Sequence, residues 1–167
     1  MAGGTDRRNS MFKKSLKILL IGLAALFLLI QLYRIDRTNP PVVEAEALAA
    51  AVAVPADVSQ ILSVSCNDCH SHKTTYPWYS HVQPFAFFLE DHILEGRHHL
   101  NFSKFNTYDA QKKARKLEEI CEEVTSAAMP LPTYLWIHGD AVLTPSQSKA
   151  LCDWATASKQ TIESGGS

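Results

Sequence analysis

The chain sets one long apolar run ahead of segments in which apolar residues recur every three or four positions. From Leu16 to Tyr33 it is apolar apart from Lys17 and Gln31, and at ~1.5 Å per residue such a run is long enough to cross about 30 Å of hydrocarbon. A transmembrane helix is predicted over residues 16–35. Farther on, Val58, Ile61, Leu62 and Ser65 repeat at helical spacing and run directly into Cys66. A second helix is predicted from Pro84 to His98, with proline in a tolerated first-turn position and Phe85, Phe88, Leu89, His92 and Ile93 on its inward face. A third, Tyr108 to Thr125, turns Ala110, Ala114, Leu117, Ile120, Cys121 and Val124 inward, while Lys112, Lys113, Glu118, Glu119, Glu122 and Glu123 form a solvated face. A fourth opens at Thr144-Pro145-Ser146-Gln147, with threonine as cap and glutamine at the capping-box position, and carries Leu151, Cys152, Trp154 and Ala155 into the core. No segment alternates with the period of two that a half-buried strand requires, so the domain is expected to be essentially all-α.

Charge orients the apolar run. Its upstream flank, residues 1–15, carries Arg7, Arg8, Lys13 and Lys14, followed by Lys17, against Arg34, Asp36 and Arg37 downstream. The bias places the N-terminus in the cytoplasm and everything after Tyr33 outside. A cleaved signal peptide has the same layout. No small-x-small site follows the run directly, and Ala45-Glu46-Ala47 lies too far downstream, so a retained anchor is expected. Asn39-Pro40-Pro41 interrupts structure, and residues 36–56 read as a tether. Residues 57–162 suffice for one small domain, with 163–167 as a tail. Beyond Arg37 there are nine Lys+Arg and 15 Asp+Glu, a balance of minus six. That acidity argues against nucleic acid as a partner and otherwise reads as ordinary solubility.

The chemistry concentrates at Cys66-Asn67-Asp68-Cys69-His70. Two cysteines separated by two residues, with histidine directly after the second, have the spacing of c-type haem attachment. Both sulfurs reach one ring edge, and the imidazole is already tethered beneath the iron. A thioredoxin-type pair is the weaker reading, because no alternating strand and helix pattern surrounds it. A zinc site drawing on Cys66, Cys69, His70 or His72 with Cys121 or Cys152 lacks a second close ligand pair. A short cystine or a chance match completes the alternatives. For the second face of an iron, Met129 is the only methionine beyond the apolar run, since Met1 and Met11 precede it. The prolines of Met129-Pro130-Leu131-Pro132 would stiffen a loop holding its sulfur. It competes with a plain packing role and with histidines, His98 and His99 foremost. Arg97 offers a guanidinium to a haem propionate or, equally, a cation to a helix C-terminus. Trp78, Tyr79, Phe85, Phe88, Tyr134 and Trp136 are candidates to line a haem crevice or an ordinary core. The even remainder, Cys121 and Cys152, forms either a disulfide or two separately buried thiols.

Taken in order, Cys66-Asn67-Asp68-Cys69-His70-Ser71, Tyr76-Pro77-Trp78-Tyr79-Ser80, Gly96-Arg97-His98-His99-Leu100-Asn101-Phe102-Ser103 and Met129-Pro130 resemble the bacterial haem-binding domain family named for its Cys-x-x-Cys-His motif. The resemblance covers Val58 to Ala157. It departs at Ala128, where an acidic residue commonly precedes the methionine-proline pair, and at Phe105, where a tryptophan commonly follows the Asn-Phe-Ser stretch. The resemblance implies a small cytochrome-c-like domain exported to the periplasm, with Cys66 and Cys69 as attachment residues, His70 as iron ligand and Met129 in the family's methionine-proline position. The expectation is a single-pass inner-membrane protein with one covalently bound haem c, carrying single electrons between unnamed redox partners. With both axial positions filled the iron has no open site, which argues against an enzyme. The alternatives are a haem sensor or peroxidase-like protein with an open iron, and a non-haem thiol or zinc protein.

Overall fold

Three- and four-residue periodicity becomes helix throughout. In a computed structural model of the chain, residues 4–165 are described; the first three residues of the expected basic flank and the last two of the expected tail lie outside them. The helices are α1 (Gly4–Ile30), α2 (Leu48–Ala51), α3 (Ala56–Ser65), α4 (Asn67–His70), α5 (Phe85–His99), α6 (Ala110–Thr125), α7 (Pro132–Leu135) and α8 (Pro145–Gly165), and no strand occurs among the described residues. The all-α expectation holds. The chain divides into two compact units, one of residues up to Arg37 with Pro77–Glu90, the other of Thr38–Tyr76 with the residues from Asp91 onward.

In the first unit, α1 leaves its apolar side chains exposed from Met11 to Leu29. No helix among the described residues is long and apolar enough to cross a membrane. α1 falls short of the expected span over residues 16–35 for two reasons. Lys13, Lys14 and Lys17 charge the first half of the helix, and the helix ends at Ile30. Its uncharged stretch, Ile18 to Ile30, covers only ~20 Å at the helical rise. Termination is physical: Gln31, Leu32 and Tyr33 bond back to Leu28, Leu29 and Ile30 at 3.2, 3.1 and 3.3 Å, the tight i to i−3 pattern that closes a last turn. The Gln31 amide then pairs with the Gln83 backbone, accepting from its N–H at 2.9 Å and donating to its carbonyl at 3.2 Å.

The second unit holds the core. Val58, Ile61 and Leu62 of α3 pack with Phe102, Phe105, Leu117, Ile120, Val124, Leu151, Trp154 and Ala155. Residues 36–56 are expected as a tether, yet Leu48 and Val52 within them join this core, and the Leu48 N–H donates to the Phe102 carbonyl at 2.7 Å. Caps start the two longest helices here. Asp109 accepts from the Lys112 N–H at 2.7 Å at the head of α6. Thr144 and Gln147 exchange side-chain-to-backbone bonds at 3.2 and 2.9 Å at the head of α8, the capping box the sequence predicts. Cys121 and Cys152 form a disulfide joining α6 to α8, with Cα atoms 4.4 Å apart. Lys116 of α6 is buried and pairs with Glu119.

The register of α5 differs from expectation. Ile93 is buried as expected, but Ala86 is buried in place of the expected Phe85 and Phe88, and those two are exposed. Farther along α5, Gly96 comes close to the backbone of Cys69.

Candidate functional site

Cys66 is the hinge between two helices. It closes α3, its N–H donating to the Leu62 carbonyl at 3.1 Å, and its own carbonyl starts the single turn of α4 by accepting from the N–H groups of Cys69 and His70 at 3.3 and 3.0 Å. Three-residue spacing on one turn sets the two thiols on the same side. Both are free thiols, whereas Cys121 and Cys152 are consumed by their disulfide.

The imidazole of His70 is held by two acceptors. Its Nδ1 lies 3.0 Å from the Gly96 carbonyl and 3.1 Å from that of Leu100. Carbonyl oxygens only accept, so Nδ1 carries the proton and shares it between them. Nε2 is left with its lone pair, the arrangement that orients and strengthens an imidazole ligand for a metal. Burial pushes the His70 pKa below its ordinary value, and the Leu100 and Gly96 carbonyls pull the opposite way. The ring is therefore neutral near pH 7, as a ligand must be.

Gly96 makes this geometry possible. A Cβ built there would lie 2.7 Å from the Cys69 carbonyl oxygen and 3.0 Å from the Cys69 Cβ. Only a residue without a side chain lets α5 come down on the attachment turn and offer its carbonyl to His70.

A polar clamp fixes the residues around the motif. The Asp68 carboxylate accepts from the Thr75 N–H at 2.8 Å and from the Tyr134 hydroxyl at 3.0 Å. Thr74 Oγ1 donates to the Asp68 carbonyl at 2.6 Å. Arg97 places Nε on the Ser71 carbonyl at 2.8 Å and Nη2 on Asn39 Oδ1 and Thr74 Oγ1 at 2.9 and 3.0 Å. Its work in the fold is to grip the backbone that follows His70. His72 is fixed nearby, Nδ1 donating to the Pro41 carbonyl at 3.1 Å and Nε2 accepting from Asn101 Nδ2 at 3.0 Å.

The thiols are unlike those of a redox pair. Burial, then the neighbouring Cys69 charge, pushes Cys66 up to about 12. Burial and the Asp68 carboxylate push Cys69 up to about 11 against the opposing pull of Arg97. A reactive thiolate needs the opposite shift. The zinc alternative also weakens: two of its candidate sulfurs are in a disulfide, and among the described residues no group of three or more His, Cys, Asp or Glu is placed to hold a metal ion. Two free thiols on one turn beside a neutral imidazole whose Nε2 keeps its lone pair do fit a covalently attached haem.

The structure thus brings Cys66, Cys69, His70 and Arg97 together. Met129 sits half-buried in the turn after α6, its N–H donating to the Glu123 carbonyl at 3.1 Å. That turn is tied to the motif through Tyr134, five residues on, by the bond to Asp68. His98 and His99 are exposed at the end of α5, and His99 Nε2 lies 3.5 Å from the Glu95 carboxylate. Sequence reasoning passed over Gly96, Asp68, Thr74 and Asn39. Gly96 left a signal, as a glycine inside a helical pattern that has to be justified by close packing.

A family model described as a haem-binding domain matches residues 25–157 of the chain, from within α1 to within α8. No curated protein and no solved structure matches it.

Proposed function

The chain belongs to the haem-binding domain family, and from that premise we propose that it is a membrane-attached, mono-haem c-type cytochrome that carries single electrons. The observation that carries this reading is the His70 imidazole, its Nδ1 shared between the Gly96 and Leu100 carbonyls directly beside two free thiols on one turn. Cys66 and Cys69 would hold haem c through thioethers, His70 Nε2 would ligate the iron, and Met129 Sδ would supply a second ligand. When bound, the haem supplies a one-electron ferric/ferrous couple whose potential methionine ligation raises. The chain's own residues keep the ligand still. Gly96 and Leu100 fix the plane and tautomer of the imidazole, while Arg97, Thr74 and Asp68 hold the backbone on either side of it. A ligand set that does not rearrange between charge states suits electron transfer better than chemistry on a bound substrate.

Attachment to the cytoplasmic membrane rests on α1. A helix with apolar side chains exposed all round needs an apolar surrounding, and its 13-residue uncharged stretch from Ile18 to Ile30 suits lipid if Lys13, Lys14 and Lys17 snorkel and the bilayer thins locally. The basic flank favours a cytoplasmic N-terminus and a periplasmic domain. The Cys121–Cys152 disulfide supports the same side, since such bonds persist in oxidising compartments.

The ligand experiment uses protein matured by a cytochrome c assembly system. Ferric protein should show the weak near-infrared band of sulfur-to-iron charge transfer, and Met129→Ala should erase it, lower the potential and admit carbon monoxide. A high-spin wild type that binds carbon monoxide readily would replace the electron carrier with a sensor or peroxidase-like protein. Loss of the native spectrum in His98→Ala or His99→Ala, with Met129→Ala silent, would make the ligation bis-histidine.

A further inference from the structure

Three large aromatic side chains stand in the open a short distance along the chain from one another. Trp78 is 75% exposed, Phe85 57% and Phe88 62%, while Gln83 and Ala86 between them are buried. Patterning alone would put the aromatics inside and the glutamine outside, so the segment is folded inside out for water. Its attachment explains what it faces. Within the same compact unit, Gln83 exchanges hydrogen bonds with Gln31 at the end of α1, and its Nε2 donates to the Tyr33 carbonyl at 3.3 Å. The Tyr33 and Phe87 rings lie 4.7 Å apart. Arg34 and Arg37 donate to the His81 and Ser80 carbonyls at 3.3 and 3.4 Å. The segment is thereby held to the chain immediately past the last turn of the apolar helix.

We infer that residues 78–88 form a lipid-interface element, with Trp78, Phe85 and Phe88 seated at the boundary between headgroups and acyl chains. Gln83 and Phe87 tie the segment to Gln31 and Tyr33, just past the exposed apolar side chains of α1, and tryptophan beside tyrosine and arginine is the residue mixture that such a boundary favours. Arg34 and Arg37 sit where lipid phosphates would lie. An exposed aromatic patch of this kind marks an interaction surface on an ordinary protein. Here its attachment at the end of α1 selects the bilayer. The inference rests on the membrane reading of α1 and extends it, fixing the first unit at the surface by more than a single helix.

The test uses the full chain, haem reduced, in lipid nanodiscs and labelled with fluorotryptophan. Trp78, Trp136 and Trp154 give separate fluorine NMR signals, assigned with Trp78→Phe and Trp136→Phe. A doxyl-labelled lipid should broaden the Trp78 signal, a water-soluble gadolinium chelate should spare it, and the buried Trp154 should respond to neither. Broadening of Trp78 by the chelate alone would overturn the inference, because the side chain is then in water. Indifference to both agents would also overturn it, because protein or cofactor then covers the ring. Release of the chain from vesicles by a carbonate wash would instead defeat the membrane reading of α1 itself, and the two failures are distinguishable.

Discussion

Replacing Gly96 with alanine adds a methyl group where the attachment turn leaves no room. The new Cβ would sit 2.7 Å from the Cys69 carbonyl oxygen, 3.0 Å from its Cβ and 3.1 Å from its carbonyl carbon. Non-bonded carbon contacts settle at about 3.5 to 4.0 Å, so α5 must withdraw by roughly half an ångström or more. These are main-chain and Cβ atoms, which cannot swing aside as a long side chain would. Overpacking of this sort costs about 1 to 3 kcal/mol, against roughly 1 kcal/mol that alanine returns as a better helix former than glycine. The expected net is destabilisation of about 1 to 2 kcal/mol, taking the upper part of the overpacking range because backbone is the obstacle. The same withdrawal stretches the 3.0 Å bond from His70 Nδ1 to the Gly96 carbonyl, leaving Leu100 as the main acceptor. Urea unfolding of wild type and Gly96→Ala reads the difference as a shift in midpoint at constant slope. Gly139→Ala is the control, since a Cβ there meets nothing within 4 Å. A Gly96→Ala midpoint equal to or above wild type would refute the close approach and with it the explanation of how His70 is held.

Ala127 ends α6 with φ 57, and the bonds from Ala127 N–H to Val124 and from Ala128 N–H to Glu123 at 3.4 and 3.0 Å make a Schellman motif with alanine where glycine is usual. Ala127→Gly should therefore stabilise the fold by about 1 kcal/mol of relieved strain less a few tenths for glycine's extra unfolded freedom, read as a higher melting temperature; an unchanged or lower value would count against the turn. Replacing Cys121 and Cys152 together with serine should remove about 3 to 4 kcal/mol in urea unfolding, the loop-entropy value for a separation of 31 residues, and a loss under about 1 kcal/mol would mean the bridge does little. In protein made without haem, Cys66 and Cys69 should alkylate slowly at pH 8, because their pKa values are pushed up to about 12 and 11. A folded-state pKa above the unfolded one contributes stability below the ordinary 9.0, and this is lost as pH rises toward 11 and 12. The haem-free chain should thus weaken over that window, and fast labelling at pH 8 would restore the reactive-thiol alternative.

Much of the second unit was legible because its signals are local. The α3 periodicity, the Thr144–Gln147 capping box and the spacing of the Cys-x-x-Cys-His turn each depend on neighbours within a few residues. The disulfide was half legible: two leftover cysteines on inward faces left separate thiols as an equal alternative, which the 4.4 Å Cα separation decides. What misled was tertiary. Phe85 and Phe88 looked inward by hydrophobicity, yet Ala86 takes the buried position beside the correctly expected Ile93. Residues Leu48 and Val52 read as linker because an Ala/Val/Glu tract has no strong period, and only their partners across the core reveal them. The apolar run suggested a full span, but the turn at Gln31 that ends the helix is fixed by Gln83, 52 residues away. The acceptors on His70 Nδ1 are backbone carbonyls, and sequence carries no residue-type signal for those.

Covalent attachment of haem is the most direct thing to measure. Intact mass spectrometry of denatured, acid-acetone-extracted protein from a maturation-competent host should give the chain plus one haem, with Cys66 and Cys69 both consumed and the Cys121–Cys152 bridge intact. Cys66→Ser and Cys69→Ser should each lose most or all of that haem. A wild-type chain that carries no haem after extraction, with its two motif thiols still free to alkylate, would contradict the c-type cytochrome outright.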